Sequence, residues 1–202
     1  KWIISGVVPA LVQEIRTALQ KRGHDVRVID QQELIPVKTA VDCPSTVGLD
    51  RLFDALAAIK KFPKKKLLVI DAGTAITINS ISADAVFQGG AILPGSFLMA
   101  RSLNAHTAQL PLVDLSQLLP QQEVIECIRF PGKSTTAAIE SGILYAAAGA
   151  IERCASEDDS EIVLFTGGFG AYLYFATRVP QTKVFEPYLT LEGIRIAAEA
   201  LP

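Results

Sequence analysis

The chain is short of the residues that build metal centres. Its 202 residues include three cysteines and two histidines. Cys43, Cys127 and Cys154 are odd in number and show no CxxC spacing, and His24 and His106 are too few for a zinc set. A zinc site is therefore not expected, and a reducing cytoplasm is the expected compartment. Net charge is also scarce, at −2. That removes any bulk attraction to nucleic acid or to an anionic membrane. No apolar run approaches the ~20 residues a spanning helix needs. GILYAAAGAI (142–151) comes nearest and reads as a buried helix. No basic flank leads into an apolar core and a small-residue cleavage site, so no secretory signal is expected. Internal repeats, low-complexity tracts, a Ser/His/Asp arrangement, a lysine-bearing Walker loop and GxGxxG are all missing.

What remains is half apolar by residue count (50%), enough to bury the core of one substantial domain or two small ones. Residues 2–8 read as a strand end running into a turn. Pro9 suits the first turn of a helix whose Leu11, Val12, Ile15 and Leu19 make one apolar face, with Gly23 as its stop. A short strand is expected over 26–29. From Ser45 a helix pattern begins, with Leu49, Leu52, Phe53, Leu56 and Ile59 at the 3.6-residue period and Pro63 as its end. The run KKFPKKK (60–66) reads as a solvated helix end and loop. Strands follow at 67–70, 74–82 and 85–88, then GGAILPG (89–95) and a helix over 96–105. The segments 106–115 and 121–133 read as irregular, 134–153 as a close-packed Ala/Gly-rich helix, and 161–166 as a buried strand. A helix starting near Phe169, a strand at 184–185 and a last helix at 191–201 complete the pattern. Strands joined first by hairpins and then by helices indicate a mixed-sheet α/β fold.

Several short stretches carry chemistry. Asp71-Ala72-Gly73-Thr74 puts a carboxylate and a turn glycine between apolar strands. Gly73 lets the backbone approach a ligand, and successive turn N–H groups with the Thr74 hydroxyl can hold phosphate oxygens. Asp71 can bind a cation that offsets phosphate charge. An Asx-type turn in an ordinary hairpin has the same composition. In Gly48-Leu49-Asp50-Arg51, the acid sits beside the partial positive end of a helix, which favours a carboxylate, and a carboxylate there can accept a proton from a hydroxyl nucleophile. Arg51 can grip a carboxylate or phosphate in a fork. A surface ion pair would read alike. Thr166-Gly167-Gly168 after a buried strand can admit a ring or a phosphate, or serve packing alone. Ser134 or Thr135 can be a helix N-cap, and His106-Thr107 lies beside a turn.

Taken in order, SGVVP (5–9), PSTVGLDR (44–51), DAGTAITI (71–78), GGAILPG (89–95), HTAQLP (106–111), GKST (132–135), TGG (166–168) and EPYLTLEGI (186–194) resemble the type III pantothenate kinases over nearly the whole chain. The resemblance implies two ribonuclease-H-like lobes with ATP between them, in the superfamily of acetate and sugar kinases, heat-shock ATPases and actin. Residues 1–66 would be the remainder of the first lobe and a junction helix, and 67–202 the second lobe. It implies ATP-dependent phosphorylation of pantothenate, the first step of coenzyme A synthesis, by a cytoplasmic homodimer needing Mg²⁺ and K⁺ or NH₄⁺. Asp50 matches the family's catalytic base. Gly48, Leu49, Arg51, Thr135 and His106 fall on the pantothenate side, Gly73, Thr74, Gly167 and Gly168 on the nucleotide side, and Asp71 matches the monovalent-cation ligand. Family members carry a first DxGNT motif that has no counterpart in these 202 residues, so the first lobe is expected to be N-terminally truncated here. Many place a tyrosine where Val41 stands. The other readings are a non-catalytic relative with a regulatory or binding role, and a kinase acting on another hydroxylated acid.

Overall fold

A computed structural model describes residues 1–115 and 130–201; Cys127 and most of the loop expected over 121–133 lie outside the described residues. The chain divides into two compact units. One comprises Lys1–Lys65, Ile81–Gly89 and Tyr188–Pro202, the other Lys66–Ser80 and Gly90–Pro187.

In the first unit, β1 (Trp2–Ile4) and β2 (Val26–Val28) pair in parallel with Trp2 opposite Val26. Parallel partners need a crossover, and α1 (Pro9–Lys21) supplies it, with Pro9 in its first turn. The apolar residues of α1 fall at helical spacing, yet none of its residues is buried, and Leu11 and Ile15 stay exposed. A two-residue strand, β3 (Lys38–Thr39), runs beside Val86 and Phe87 of β6 (Val86–Pro94).

The helix expected from Ser45 begins at Leu49 instead. Pro44–Thr46 form a 3₁₀ turn, and Gly48 is extended (φ −60°, ψ 141°) as the N-cap of α2 (Leu49–Lys61). Pro44 suits a helical first turn but Val47 leaves helical geometry at ψ 129°, so the pattern is interrupted there. Leu52, Phe53 and Leu56 are buried as their spacing predicts. The last helix, α6 (Leu189–Ala200), buries Leu189, Gly193 and Ala197 and packs along α2. A Cβ on Gly193 would lie 2.0 Å from the Phe53 carbonyl oxygen, so this approach admits glycine alone.

The second unit is built on β4 (Leu67–Ala72), β5 (Ala75–Ile81), β7 (Ile162–Thr166), β8 (Thr182–Phe185) and the part of β6 from Gly90, in the order β6-β5-β4-β7-β8. Strands β4, β7 and β8 are parallel, with Leu67 opposite Ile162 and Asp71 opposite Thr166. The two-residue link Gly73–Thr74 makes β4 and β5 antiparallel, so the sheet is mixed. Every residue of β7 is buried, which explains its unbroken apolar run. The strand expected to stop at residue 88 continues through both glycines to Pro94. Gly90 permits this: a Cβ there would lie 1.8 Å from the Ile78 carbonyl oxygen.

The helices of this unit are α3 (Ser96–Ala105), α4 (Thr135–Glu157) and α5 (Gly170–Ala176). Ser134 caps α4, its Oγ accepting from the Ala137 N–H at 3.1 Å. Ile70, Ile76, Ile143, Ile151, Phe165 and Leu173 meet in one core beneath the sheet. Burying each such side chain contributes roughly 1.5–3 kcal/mol before entropy is counted. Among the described residues no helix is long and apolar enough to cross a membrane.

Candidate functional site

The candidate residues fall into two groups, one in each unit. In the first unit, Asp50 occupies the first turn of α2 and is exposed. Its Oδ1 accepts the Arg51 N–H at 2.9 Å. The carboxylate folds back over Gly48, where a Cβ would sit 2.4 Å from Oδ1, so Gly48 gives the acid its room. Arg51 is half-buried with its guanidinium 5.2 Å from the centre of the Phe87 ring. Burial pushes the Arg51 pKa below its usual value, and the Asp50 charge works in the opposite direction. Gly48 and Leu49 also wall a cleft of about 760 Å³ shared with Gly6, Arg16, Asp30 and Gln32. That volume is within the range of small-ligand sites.

One turn along α2, Asp54 is fully buried, and its Oδ1 accepts from the Thr190 hydroxyl at 2.7 Å. The sequence reading passed over it. The signal was present, since Asp54 is an acid inside the buried stretch Leu52–Ala58.

In the second unit, Asp71 ends β4 half-buried, while Gly73 and Thr74 are exposed. Two remote glycines close on this turn. Gly167 (φ +85°) is so near that a Cβ would meet the Asp71 Oδ1 at 2.3 Å and the Ala72 carbonyl oxygen at 2.7 Å. The Phe169 N–H donates to that Ala72 oxygen at 2.9 Å, fixing the Thr166–Gly168 loop beside the turn. Gly95 seats against the Gly73 and Thr74 carbonyls, at 2.3 and 2.4 Å from a built Cβ, and its N–H donates to the Thr74 oxygen at 2.9 Å. Ser96 follows in the first turn of α3, buried, with no hydrogen-bond partner for its hydroxyl. The structure thus joins DAGT, TGG and the end of GGAILPG in one cluster of close backbone approaches.

Thr135 and His106 are both exposed, Thr135 in the first turn of α4 and His106 just past α3, and these two helices pack together. Among the described residues no three His, Cys, Asp or Glu side chains are grouped to hold a metal ion. Near Asp71 the available donors are hard oxygens, a carboxylate and turn carbonyls, which suit alkali or alkaline-earth cations over zinc.

A family model of the type III pantothenate kinases matches residues 1–157. The chain belongs to this kinase family. A type III pantothenate kinase from Legionella pneumophila (strain Corby) is 40% identical over 209 residues, spanning 98% of this chain and 76% of the relative. Another from Persephonella marina is 33% identical over 198 residues, spanning 95% and 73%. Among solved structures, a candidate Baf family transcriptional activator from Campylobacter jejuni superposes with a TM-score of 0.65 at 22% identity, covering 98% of this chain and 81% of that one. The acetate kinase of Porphyromonas gingivalis gives 0.50 at 10% identity, covering 93% and 68%. At such identities these structures bear on the fold alone, and the fold is that of the acetate-kinase group.

Proposed function

We propose that the chain transfers the terminal phosphoryl group of ATP to the primary hydroxyl of pantothenate, the first step of coenzyme A synthesis. Membership of the kinase family supports the reaction class, and the glycine-clasped turn at Asp71–Thr74 is the observation that carries the nucleotide side. Phosphoryl transfer passes through a loose transition state, so positioning and charge neutralisation do most of the catalysis. The exposed Gly73 and Thr74 present turn N–H groups and a hydroxyl to phosphate oxygens. Gly168, with open space where a Cβ would stand, leaves a bare backbone surface for the adenosine, and Gly167 serves the same side by seating the loop on the Asp71 turn. Asp71 holds the monovalent cation, K⁺ or NH₄⁺. Mg²⁺ neutralises phosphate charge when bound; it keeps waters and phosphate ligands, so it needs no three-residue protein cage.

On the substrate side, the Arg51 N–H orients the Asp50 carboxylate through Oδ1 and leaves Oδ2 to take the hydroxyl proton. Arg51 grips an oxyanion of the substrate beside Gly48 and Leu49; Thr135 and His106 are assigned to substrate binding by the family resemblance. The first lobe is assigned to residues 1–66 and the second to 67–202, and the working form is a cytoplasmic homodimer.

The test is a coupled ADP assay on the intact protein with ATP, Mg²⁺ and K⁺, with the product identified by mass spectrometry. Pantothenate-dependent ADP release with phosphopantothenate formed is expected. Turnover of a different hydroxylated acid would replace the substrate assignment, and no turnover of any would sink the kinase reading.

A further inference from the structure

Strands β4 and β7 run parallel, and the links Gly73–Thr74 and Gly167–Gly168 follow their carboxyl ends, where open α/β sheets receive ligands. A third segment reaches the same place. Gly95, the N-cap of α3, donates its N–H to the Thr74 oxygen at 2.9 Å, which ties the start of α3 to the first link. Two residues on, the Phe97 ring centre lies 5.9 Å from that of Phe169, the residue after Gly168. Phe97 thus stands between the turn and the loop, and the function proposed above does not use it.

The two rings differ in surroundings. Phe169 is 4% exposed and belongs to the core, its ring centre 4.5 Å from that of Tyr172. Phe97 is 39% exposed. The Phe97 and Phe169 planes stand at 74°, an edge-to-face pair, so Phe169 covers at most one face of the outer ring. A ring whose only task was to fasten α3 to the core would gain most by being buried, and this one is not. Beside the pair, a Cβ on Gly168 would meet nothing within 4 Å. An open aromatic face next to a bare peptide suits a flat heteroaromatic ring, which can stack on the first and lie close to the second.

We propose that Phe97 is the platform on which the purine of the nucleotide stacks, with the Gly168 peptide as the adjoining wall. This rests on the reading of the Thr166–Gly168 loop as the adenosine side. Stacking engages the face of a base, so Phe97 adds affinity for the ring and leaves the phosphates to the Asp71–Thr74 turn. Its contribution is absent for a phosphate chain that carries no base.

The test is titration calorimetry on the intact protein with Mg²⁺, using ATP and inorganic triphosphate as separate probes. Phe97→Leu keeps an apolar side chain on the helix and removes the aromatic face; Phe97→Trp keeps a face. The leucine variant should bind ATP about five- to a hundredfold more weakly, the usual strength of a base on an aromatic ring, with triphosphate binding unchanged. The tryptophan variant should hold ATP as wild type does. Comparing the two probes within one variant cancels any general loss of stability. If the leucine variant binds ATP like wild type, or loses ATP and triphosphate equally, the proposal falls and the ATP-kinase reading stands. If wild type binds ATP no more tightly than triphosphate, the proposal falls together with the adenosine assignment.

Discussion

At the scale of single residues, the chemistry rests on how each side chain is held. Asp50 is exposed and has one oxygen engaged by the next residue's N–H, so Asp50→Asn changes the proton affinity with little change in shape. Turnover should fall by about two to four orders of magnitude, with the melting midpoint within error of wild type. A variant retaining full rate would remove Asp50 from the mechanism. Tyr172 is a different case: its hydroxyl is buried without a hydrogen-bond partner. Burial first, and the Glu140 charge second, push its pKa above the ordinary phenol value. Tyr172→Phe removes the desolvated hydroxyl and should leave stability unchanged or raise it by up to about 1–3 kcal/mol in urea unfolding; a loss would show that the hydroxyl has a partner. Cys154 gives a pH test. Burial, Glu157 and Asp158 raise its thiol pKa, outweighing the Arg153 charge that lowers it. Raising the pKa shrinks the thiolate fraction at a given pH. Iodoacetamide labelling of Cys154, followed by peptide mass spectrometry, should therefore be slow at neutral pH and keep accelerating as the pH rises past the usual thiol range.

At the scale of elements, most helices and strands were legible in local pattern. Periodic apolar positions placed α2 within a few residues, the last helix, expected over 191–201, begins at Leu189, and β7 stood out as an apolar run. Two boundaries misled for identifiable reasons. Helical periodicity was extended back to Ser45, because composition does not show that Val47 and Gly48 are extended. Strand β6 was ended at its glycines, which local propensity disfavours in strands, whereas Gly90 serves close passage of the Ile78 carbonyl. Packing between elements was not legible. Nothing in EPYLTLEGI announces that Gly193 meets the Phe53 carbonyl across the α2–α6 contact. Gly193→Ala should cost about 1–3 kcal/mol from overpacking against rigid backbone, although alanine is the better helix former. A stabilised variant in thermal unfolding would mean that the two helices can move apart.

At the scale of the whole molecule, a ligand that binds only the folded state raises its stability by mass action, about 2.7 kcal/mol at a hundred times Kd. ATP with Mg²⁺ should thus raise the melting temperature of wild type. Gly167→Ala, with positive φ and an intended Cβ inside contact distance of Asp71 and Ala72, should lose that shift while pantothenate still shifts it. An ATP shift of wild-type size in the variant would place the nucleotide elsewhere.

By itself, the sequence determined the family, the mixed α/β class and the order of the motifs, because these depend on residue type and spacing along the chain. Only the tertiary structure decided which motifs touch. Asp71 meets Gly167 because parallel pairing of β4 with β7 sets Asp71 opposite Thr166. Arg51 meets Phe87 because β3 and the first part of β6 bring that ring under the start of α2. Strand register and helix approach are set by burial shared among distant segments, a property that no local stretch of residues carries.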